Sequence, residues 1–414
     1  MMRELASKLK RELSILRGNL LVLVVSWTFF RFGFSMVYPY ESLYLQALGA
    51  SPFVIGLIGS LGLAILCLSR IPGAYIADRY GRRKIIVTMT YGIALSYAML
   101  ALAPDWRLAA AGLALSNFCL IYQPALQAIT ADSIPPEKRG VGYAMANVVP
   151  AVPAVFAPLI TGFLIEHYGF PCGMRMAYWL VVVLSLAAAT VRALYLRETL
   201  ETRAEVEVRK LGVELKRSLA DVLEALRRMP RPLAVYAVVL FIGATGDPVF
   251  HRFMSLYAVD VAGISKPDWA LLQVLRSAVA LLAGLPLGKL VDAIGRKKSI
   301  VMAYALWAPA VAYFTTCRSL AALVPVFAGI AVGSALFLPA HQALIADFTP
   351  REMRGRVMGV IGILRILATI PASALEGFLY ELSPSAPFLL YAISGLLCSL
   401  IVALLVEEPR RKEV

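Results

Sequence analysis

The sequence predicts an all-α polytopic membrane protein in which twelve transmembrane helices form two six-helix bundles related by a parallel repeat. Three observations support this prediction: an apolar composition, a series of apolar stretches of spanning length, and an internal duplication. Hydrophobic residues occupy 60% of the 414 positions and charged residues only 16%. A soluble domain carries about a quarter charged residues to keep its surface solvated, so most of this surface is expected to face lipid.

Apolar stretches long enough to cross a bilayer recur along the whole chain. A helix needs about 20 mostly apolar residues to span the hydrocarbon core. On this rule the predicted helices cover residues 20–46, 53–76, 85–103, 107–130, 141–166, 175–196, 232–260, 268–291, 299–317, 320–345, 356–380 and 386–406.

Basic residues predict the orientation of these helices. Most of the 40 Lys and Arg fall in the tails and in alternate loops, whereas the other loops hold only Arg107, Arg175, Lys266 and Arg318. Cytoplasmic loops are enriched in Lys and Arg, so both termini are expected in the cytoplasm of a multi-pass cell-membrane protein. The same distribution explains the net charge of +14 without a nucleic-acid partner.

One long connection divides the chain into three predicted regions. These are an N-terminal bundle (1–196), a cytoplasmic linker (197–231) and a C-terminal bundle (232–414). The linker is rich in charge, with leucines at helical spacing, which predicts an amphipathic helix on the inner membrane surface. The five cysteines are scattered and none has zinc-site or CxxC spacing, so no metal site, cofactor or disulfide framework is predicted.

The two bundles repeat in sequence. Residues 74–84 match 288–298, residues 124–140 match 339–355, and residues 162–166 match 377–381, with displacements of 214 or 215 residues. Because six helices separate the copies, the halves have the same orientation, which defines a parallel repeat.

The loop after the second helix and its copy after the eighth carry the pattern Gly-x-x-x-Asp-x-x-Gly-Arg-Arg/Lys-Lys, which resembles the signature of the major facilitator superfamily. The first copy departs from it by carrying Ala74 in place of the first Gly. The resemblance covers the whole chain and implies a secondary transporter with alternating access that acts as a monomer.

The resemblance also implies a cytoplasmic gate at these loops, formed by Asp78, Gly81, Arg82, Asp292, Gly295 and Arg296. The alternative at Asp78 is a static brace of the loop. We expect static braces for Asp132 with Arg139 and for Asp347 with Arg354.

Ionisable residues at bilayer depth mark the predicted pathway. Such residues are costly in lipid and usually face a cavity. Arg31 and Asp247 occupy nearly equivalent places in the first and seventh helices, which this family uses for its cavity, and we expect them to be able to pair. A permanent packed ion pair is the alternative. The remaining charged candidates are His251, Arg252, Arg276, Arg365 and Glu376.

The other membrane-depth residues have less specific expectations. Glu41 and Glu376 are each interpreted either as a proton site that opens outwards or as a solvated helix end, and the solvated end is favoured for Glu41. Arg192 and Lys289 are expected to extend towards the inner surface. A polar set on the first and fourth helices is a candidate for substrate contact: Tyr38, Asn117, Tyr122 and Gln123.

Two transport functions and one other class remain open from sequence. The leading prediction is proton-coupled efflux of small amphipathic compounds through Asp247 or Glu376. The rival is uptake or exchange of an organic anion, because the arginines at membrane depth outnumber Asp247. The predicted partners are therefore a small-molecule solute, protons and the lipid bilayer. An enzyme is not predicted, because no ATP-binding loop, HExxH or paired catalytic carboxylates occur at membrane depth; a non-transporting sensor is the remaining alternative.

Overall fold

The computed structural model of the chain describes residues 16–200, 229–350 and 353–408, together with Glu224 and Arg227. Every regular element within these residues is helical. The helices are α1 (Gly18–Ala47), α2 (Pro52–Tyr80), α3 (Arg82–Leu102), α4 (Trp106–Asp132), α5 (Pro136–Tyr168), α6 (Phe170–Tyr195), α7 (Arg231–Val261), α8 (Lys266–Ile294), α9 (Arg296–Phe314), α10 (Leu320–Asp347), α11 (Arg354–Leu382) and α12 (Ala386–Leu405).

These helices confirm the twelve predicted segments, with ends that differ by only a few residues. Among the described residues, ten are long and apolar enough to cross a membrane, and α8, bent by 56° between Gly284 and Pro286, would be an eleventh. Large apolar side chains such as Ile393 and Leu404 are more than half exposed along α12. That exposure suits a surface covered by lipid. The predicted linker helix lies outside the described residues, apart from Glu224 and Arg227.

Several helices predicted as continuous are interrupted. In α1 the α-helix ends at Val37, and residues 38–40 form a 3₁₀ turn before a short helix, Glu41–Ala47. In α7 the α-helix ends at Ala244, and π-helical turns follow at Val249–Phe253 and Tyr257–Val261. Proline lacks the backbone N–H that continues the helical ladder, and Pro39 and Pro248 lie at these two breaks. Hydropathy does not register such interruptions, because the flanking residues stay apolar.

The described chain separates into two compact units. Unit 1 contains the chain up to Tyr38 and from Ile65 to Leu215, and unit 2 contains Pro39–Ala64 and the chain from Lys216 onwards. In unit 1, α6 packs on α1 and α3. Gly33 of α1 lies where a Cβ would be 3.3 Å from Val181 Cγ1 of α6, so the missing side chain allows the close approach.

Unit 2 has its own apolar core, built from α7, α9, α10 and α12. Its central members include the fully buried side chains of Leu233, Ile300, Leu344 and Val402. The segment Pro39–Ala64, which contains the end of α1 and the start of α2, also packs in this unit.

Small residues allow the start of α2 to lie directly against α11. Gly56 sits so close to the Ser373 carbonyl that a Cβ would overlap it, and a Cβ on Gly377 would lie 2.6 Å from the Pro52 carbonyl oxygen. Ser373 Oγ donates to the Gly56 carbonyl at 2.9 Å, and Ser60 Oγ donates to the Ile370 carbonyl at 2.6 Å. Close backbone approach through small residues is how helices associate where no hydrophobic driving force exists.

Candidate functional site

The duplicated loops share one local geometry. Gly81 and Gly295 have φ values of 97° and 95°, a region that side chains rarely adopt, and each ends one helix and precedes the next. Arg82 then forms an ion pair with Asp132 at 2.6 Å, and Arg296 forms one with Asp347 at 3.3 Å.

In each copy of the loop, a second acidic residue accepts a hydrogen bond from the backbone at the start of the following helix. The backbone N–H of Arg83 donates to Glu198 at 3.0 Å, and that of Arg296 donates to Glu408 at 2.8 Å. A carboxylate at a helix N-terminus satisfies unpaired N–H groups. Sequence reasoning missed both contacts, because Glu198 and Glu408 follow the sixth and twelfth helices and lie far from the loop motif in the chain.

Asp132 and Asp347 each form an ion pair with an arginine other than the one expected from the sequence. Each aspartate pairs with the first arginine of the loop motif, whereas Arg354 donates to the carbonyls of Ala346 and Thr349. Asp292 is exposed and lies 3.9 Å from Arg296. Asp78 lies in α2, but its side chain is outside the described part of the chain, so the latch stays a prediction.

A cavity of about 290 Å³ within unit 2 brings four predicted residues together. Asp247 and His251 of α7, Arg276 of α8 and Arg365 of α11 all line it. Arg365 donates to Asp247 Oδ2 at 3.1 Å, and Arg276 Nε donates to Gln273 Oε1 at 3.2 Å. We call this space the central cavity of unit 2.

Aromatic side chains form a large part of the remaining wall of the central cavity. They come from four helices, α7, α9, α10 and α12: Phe250, Tyr304, Trp307, Phe337 and Tyr391. The sequence analysis did not identify them as site residues, because an aromatic residue at helical spacing has the same pattern whether it packs a core or lines a cavity. The cavity thus combines flat apolar surfaces with two guanidinium groups and one carboxylate, a combination typical of small-molecule sites.

Two predicted members of this cluster lie elsewhere in unit 2. Arg252 forms an ion pair with Glu41 at 3.6 Å, and the two side chains are only 20% and 16% exposed. The interpretation of Glu41 as a solvated end residue is therefore wrong, because the short helix Glu41–Ala47 contacts α7 and the Glu41 carboxylate lies beside Arg252. Adjacent helical residues point about 100° apart, so Arg252 faces a different direction from His251. Glu376 is buried and does not line the central cavity.

The predicted residues of unit 1 have their own local contacts. Arg31 is exposed and donates to the Asn147 carbonyl at 3.2 Å. Tyr38 stacks on Phe34 with ring centroids 4.6 Å apart, and Asn117 donates to the Leu113 carbonyl of its own helix. Gln123 is half-buried. Pairing of Arg31 with Asp247 stays a prediction.

Arg192 is completely buried, and the expectation that it extends to the inner surface is wrong. Side chains in a helix point back towards its N-terminus, so near the end of α6 the side chain points away from the surface that α6 approaches. Its Nε donates to Ser26 Oγ at 2.9 Å and one terminal nitrogen donates to Thr90 Oγ1 at 2.8 Å, while the guanidinium lies 5.6 Å from the Tyr122 ring centroid.

Replacing Arg192 with methionine is expected to leave the melting temperature unchanged or to raise it. Ser26 and Thr90 already donate their hydroxyl hydrogens to the carbonyls of Leu23 and Ile86, so the substitution leaves no donor unpaired. It also removes a buried charge, whose desolvation is costly, and an apolar side chain of similar volume often replaces such a charge without loss. Thermal unfolding in detergent measures the effect, and a fall of more than about 5 °C, on the order of 2 kcal/mol, would contradict it.

Comparison with known proteins identifies the family to which this chain is related. The model of the Major Facilitator Superfamily matches residues 23–283 and 252–414. An uncharacterised MFS-type transporter of Methanocaldococcus jannaschii is 22% identical over 87% of this chain and 89% of its own length. The multidrug resistance protein MdtG of Salmonella typhimurium is 25% identical over 78% of this chain and 79% of its own.

A solved structure agrees with these matches at the level of the fold. The crystal structure of the human organic anion transporter MFSD10 superposes with a TM-score of 0.63 at 19% identity, covering 93% of this chain and 98% of that one. The family match spans nearly all of the sequence and agrees with the twelve helices and the duplicated loops, so the chain belongs to the Major Facilitator Superfamily of multi-pass membrane transporters.

Proposed function

We propose that this chain is a secondary transporter of a small organic anion with an aromatic or other apolar body. The observation that carries the proposal is the charge of the central cavity of unit 2, where Arg276 and Arg365 face a single carboxylate, Asp247, between aromatic walls. If His251 is neutral, the cavity has one excess positive charge. A carboxylate is a suitable partner, because guanidinium groups bind carboxylates through two parallel, charge-assisted hydrogen bonds.

The ion pair between Arg365 and Asp247 provides a means of coupling. Both side chains are partly exposed to the cavity, at 37% and 36%, so a solute can reach the guanidinium. An ionised Asp247 competes with an anionic solute for Arg365, and a proton on Asp247 ends that competition. Binding of the proton and of the anion should therefore favour each other, because coupling between two sites is reciprocal. Because this coupling is positive, we expect the proton and the anion to cross the membrane together in the same direction.

Purified protein in liposomes tests both parts of the proposal. We expect an inward proton gradient to drive accumulation of radiolabelled aromatic carboxylates, beginning with hippurate, above the level in protein-free liposomes, and the lumen to acidify as the solute enters. Replacing Asp247 with asparagine should leave carboxylate exchange in place and remove the dependence on the proton gradient. Gradient-driven accumulation that persists in Asp247→Asn would refute the coupling role, and absence of flux for every carboxylate would refute the substrate class.

Proton-coupled efflux of amphipathic compounds is the second candidate function. The observation that favours it is the similarity over most of the chain to MdtG, which is described as a multidrug resistance protein. A cationic solute would compete with the proton for a carboxylate, which gives antiport. The same liposomes distinguish the two functions, because antiport makes the lumenal pH rise as solute enters and co-transport makes it fall.

For the orientation, we propose a cell-membrane location with both termini in the cytoplasm. This arrangement places Cys172, near the start of α6, and Cys317, between α9 and α10, on the outer side. Cys172 is exposed, whereas Cys317 is only 2% exposed. Burial raises the pKa of the Cys317 thiol, an effect that the neighbouring Arg318 partly offsets. Because the thiolate is the reactive form, Cys317 should resist alkylation.

In intact cells, a membrane-impermeant maleimide is expected to label Cys172 and to spare Cys317 until the protein is unfolded. Mass spectrometry of the labelled peptides provides the measurement, and Cys172→Ser is the matched control. Labelling of Cys172 only after the cells are permeabilised would reverse the proposed orientation.

A further inference from the structure

Glu376 of α11 is a buried carboxyl group without a cationic partner in the described structure. The residue is 3% exposed, and its Oε2 atom has no hydrogen-bond partner. Asp247, the charged group with which it interacts electrostatically, is also acidic, and Arg365 pairs with Asp247. Burying a carboxylate without a partner is costly, so an interaction with a ligand would explain why an acid occupies this position. The counterpart of Glu376 in the first half is an uncharged residue, Thr161.

A second cavity, of about 320 Å³, surrounds this carboxyl group between α7, α11 and α12. We call it the lateral cavity. Its two aliphatic hydroxyl groups are engaged locally, because Thr245 donates to the Ile242 carbonyl and Ser394 donates to the Tyr391 carbonyl. Glu376 is the only charged residue that lines it within the described chain, and the rest of the wall is mainly apolar.

The lateral cavity opens on an apolar face of unit 2. Phe241, Leu375 and Leu390 line it and are 43%, 51% and 44% exposed. Phe378 and Leu382 of α11 are also exposed, and they follow Leu375 at the spacing of one helical face. A face of this kind on a membrane-spanning helix is in contact with acyl chains. A ligand would therefore enter the lateral cavity from the bilayer.

We propose that the lateral cavity binds a hydrophobic ammonium compound that has partitioned into the membrane. The ammonium group donates to the Glu376 carboxylate, and its alkyl or aryl body packs against Phe241, Leu375 and Leu390. An anion is disfavoured here because both nearby acidic residues repel it. The site differs from the central cavity in charge and in access, and it does not depend on the proposed anion transport. Tyr391 lines both cavities and separates them.

Photo-crosslinking of the full chain in lipid nanodiscs tests this site directly. The probes are dodecylamine and dodecanol, each carrying a diazirine on the alkyl chain, and labelled peptides are mapped by mass spectrometry. We expect the amine to label residues 368–376 and 390–394, and unlabelled dodecylamine to compete while dodecanol does not. Glu376→Gln should reduce this labelling about tenfold or more, because a hydrogen bond to a charged group contributes about 1.5–3 kcal/mol.

Two further variants make the outcome decisive. Glu381→Gln removes a carboxylate from the exposed end of the same helix and should leave the labelling intact. Leu375→Trp fills the opening from the lipid-exposed side and should reduce labelling even if Glu376→Gln fails to fold. Equal labelling or competition by dodecanol would show a groove for acyl chains only, and unchanged labelling in Glu376→Gln would refute the site. The assay requires no solute flux, so its failure is distinct from failure of the transport proposal.

Discussion

Replacing Arg365 with glutamine is expected to weaken binding of carboxylate solutes about 10- to 100-fold. Arg365 provides one of the two guanidinium groups of the central cavity, and it donates to Asp247 Oδ2. A hydrogen bond to a charged group contributes about 1.5–3 kcal/mol, and each 1.4 kcal/mol corresponds to a factor of ten. The substitution also removes the cation that pairs with Asp247, so the cavity loses its excess positive charge and the Asp247 carboxylate is left to repel an anion nearby.

Concentration dependence of flux in liposomes measures this effect. The expected result is a large rise in the half-saturating concentration, and the double variant Asp247→Asn/Arg365→Gln should recover part of the loss because it removes the repulsive carboxylate. Lys289→Gln is the matched control, since Lys289 lies exposed near the end of α8 and does not line the central cavity. Equal flux in Arg365→Gln and Lys289→Gln would mean that the anion binds elsewhere.

The partner of Asp247 shows what the sequence could predict about this site. Hydropathy and residue counting along the helix give height within the membrane, and on that basis selected Asp247, His251, Arg276 and Arg365, which all line the central cavity of unit 2. They do not give the direction of a side chain around the helix axis. The partner expected for Asp247 was Arg31, whereas the described ion pair is with Arg365 in the same unit.

Arg192 and Glu41 illustrate two other limits of sequence reasoning. For Arg192 the tilt of helical side chains towards the N-terminus was left out, and the guanidinium is completely buried. For Glu41 residue counting indicated its height near the end of the helix but not the direction of its side chain, which pairs with Arg252 of α7. By contrast, the loop glycines Gly81 and Gly295 were identified from the repeated motif, because a positive φ imposes a residue type that remains visible in the sequence.

The contact between α2 and α11 leads to the second large expected effect. Gly56→Ala should lower the melting temperature by about 5 °C, corresponding to about 1–3 kcal/mol of overpacking, and Gly56→Val should lower it further. The added Cβ would overlap the backbone carbonyl of Ser373, so it cannot be accommodated by rotating a side chain. The two helices must separate, which also breaks the hydrogen bonds from Ser373 and Ser60 across the contact.

Two comparisons separate this mechanism from a general intolerance of substitution. Gly362→Ala, on α11, introduces a Cβ with no atom within 4 Å, and it should keep or slightly raise the melting temperature because alanine favours the helix by about 1 kcal/mol. Ser373→Gly should fail to rescue Gly56→Ala, since the obstructing atom belongs to the backbone. A melting temperature of Gly56→Ala equal to that of Gly362→Ala would mean that α2 and α11 do not approach this closely in the membrane. Because the contact is backbone to backbone, residue 56 tolerates no side chain while the two helices remain packed.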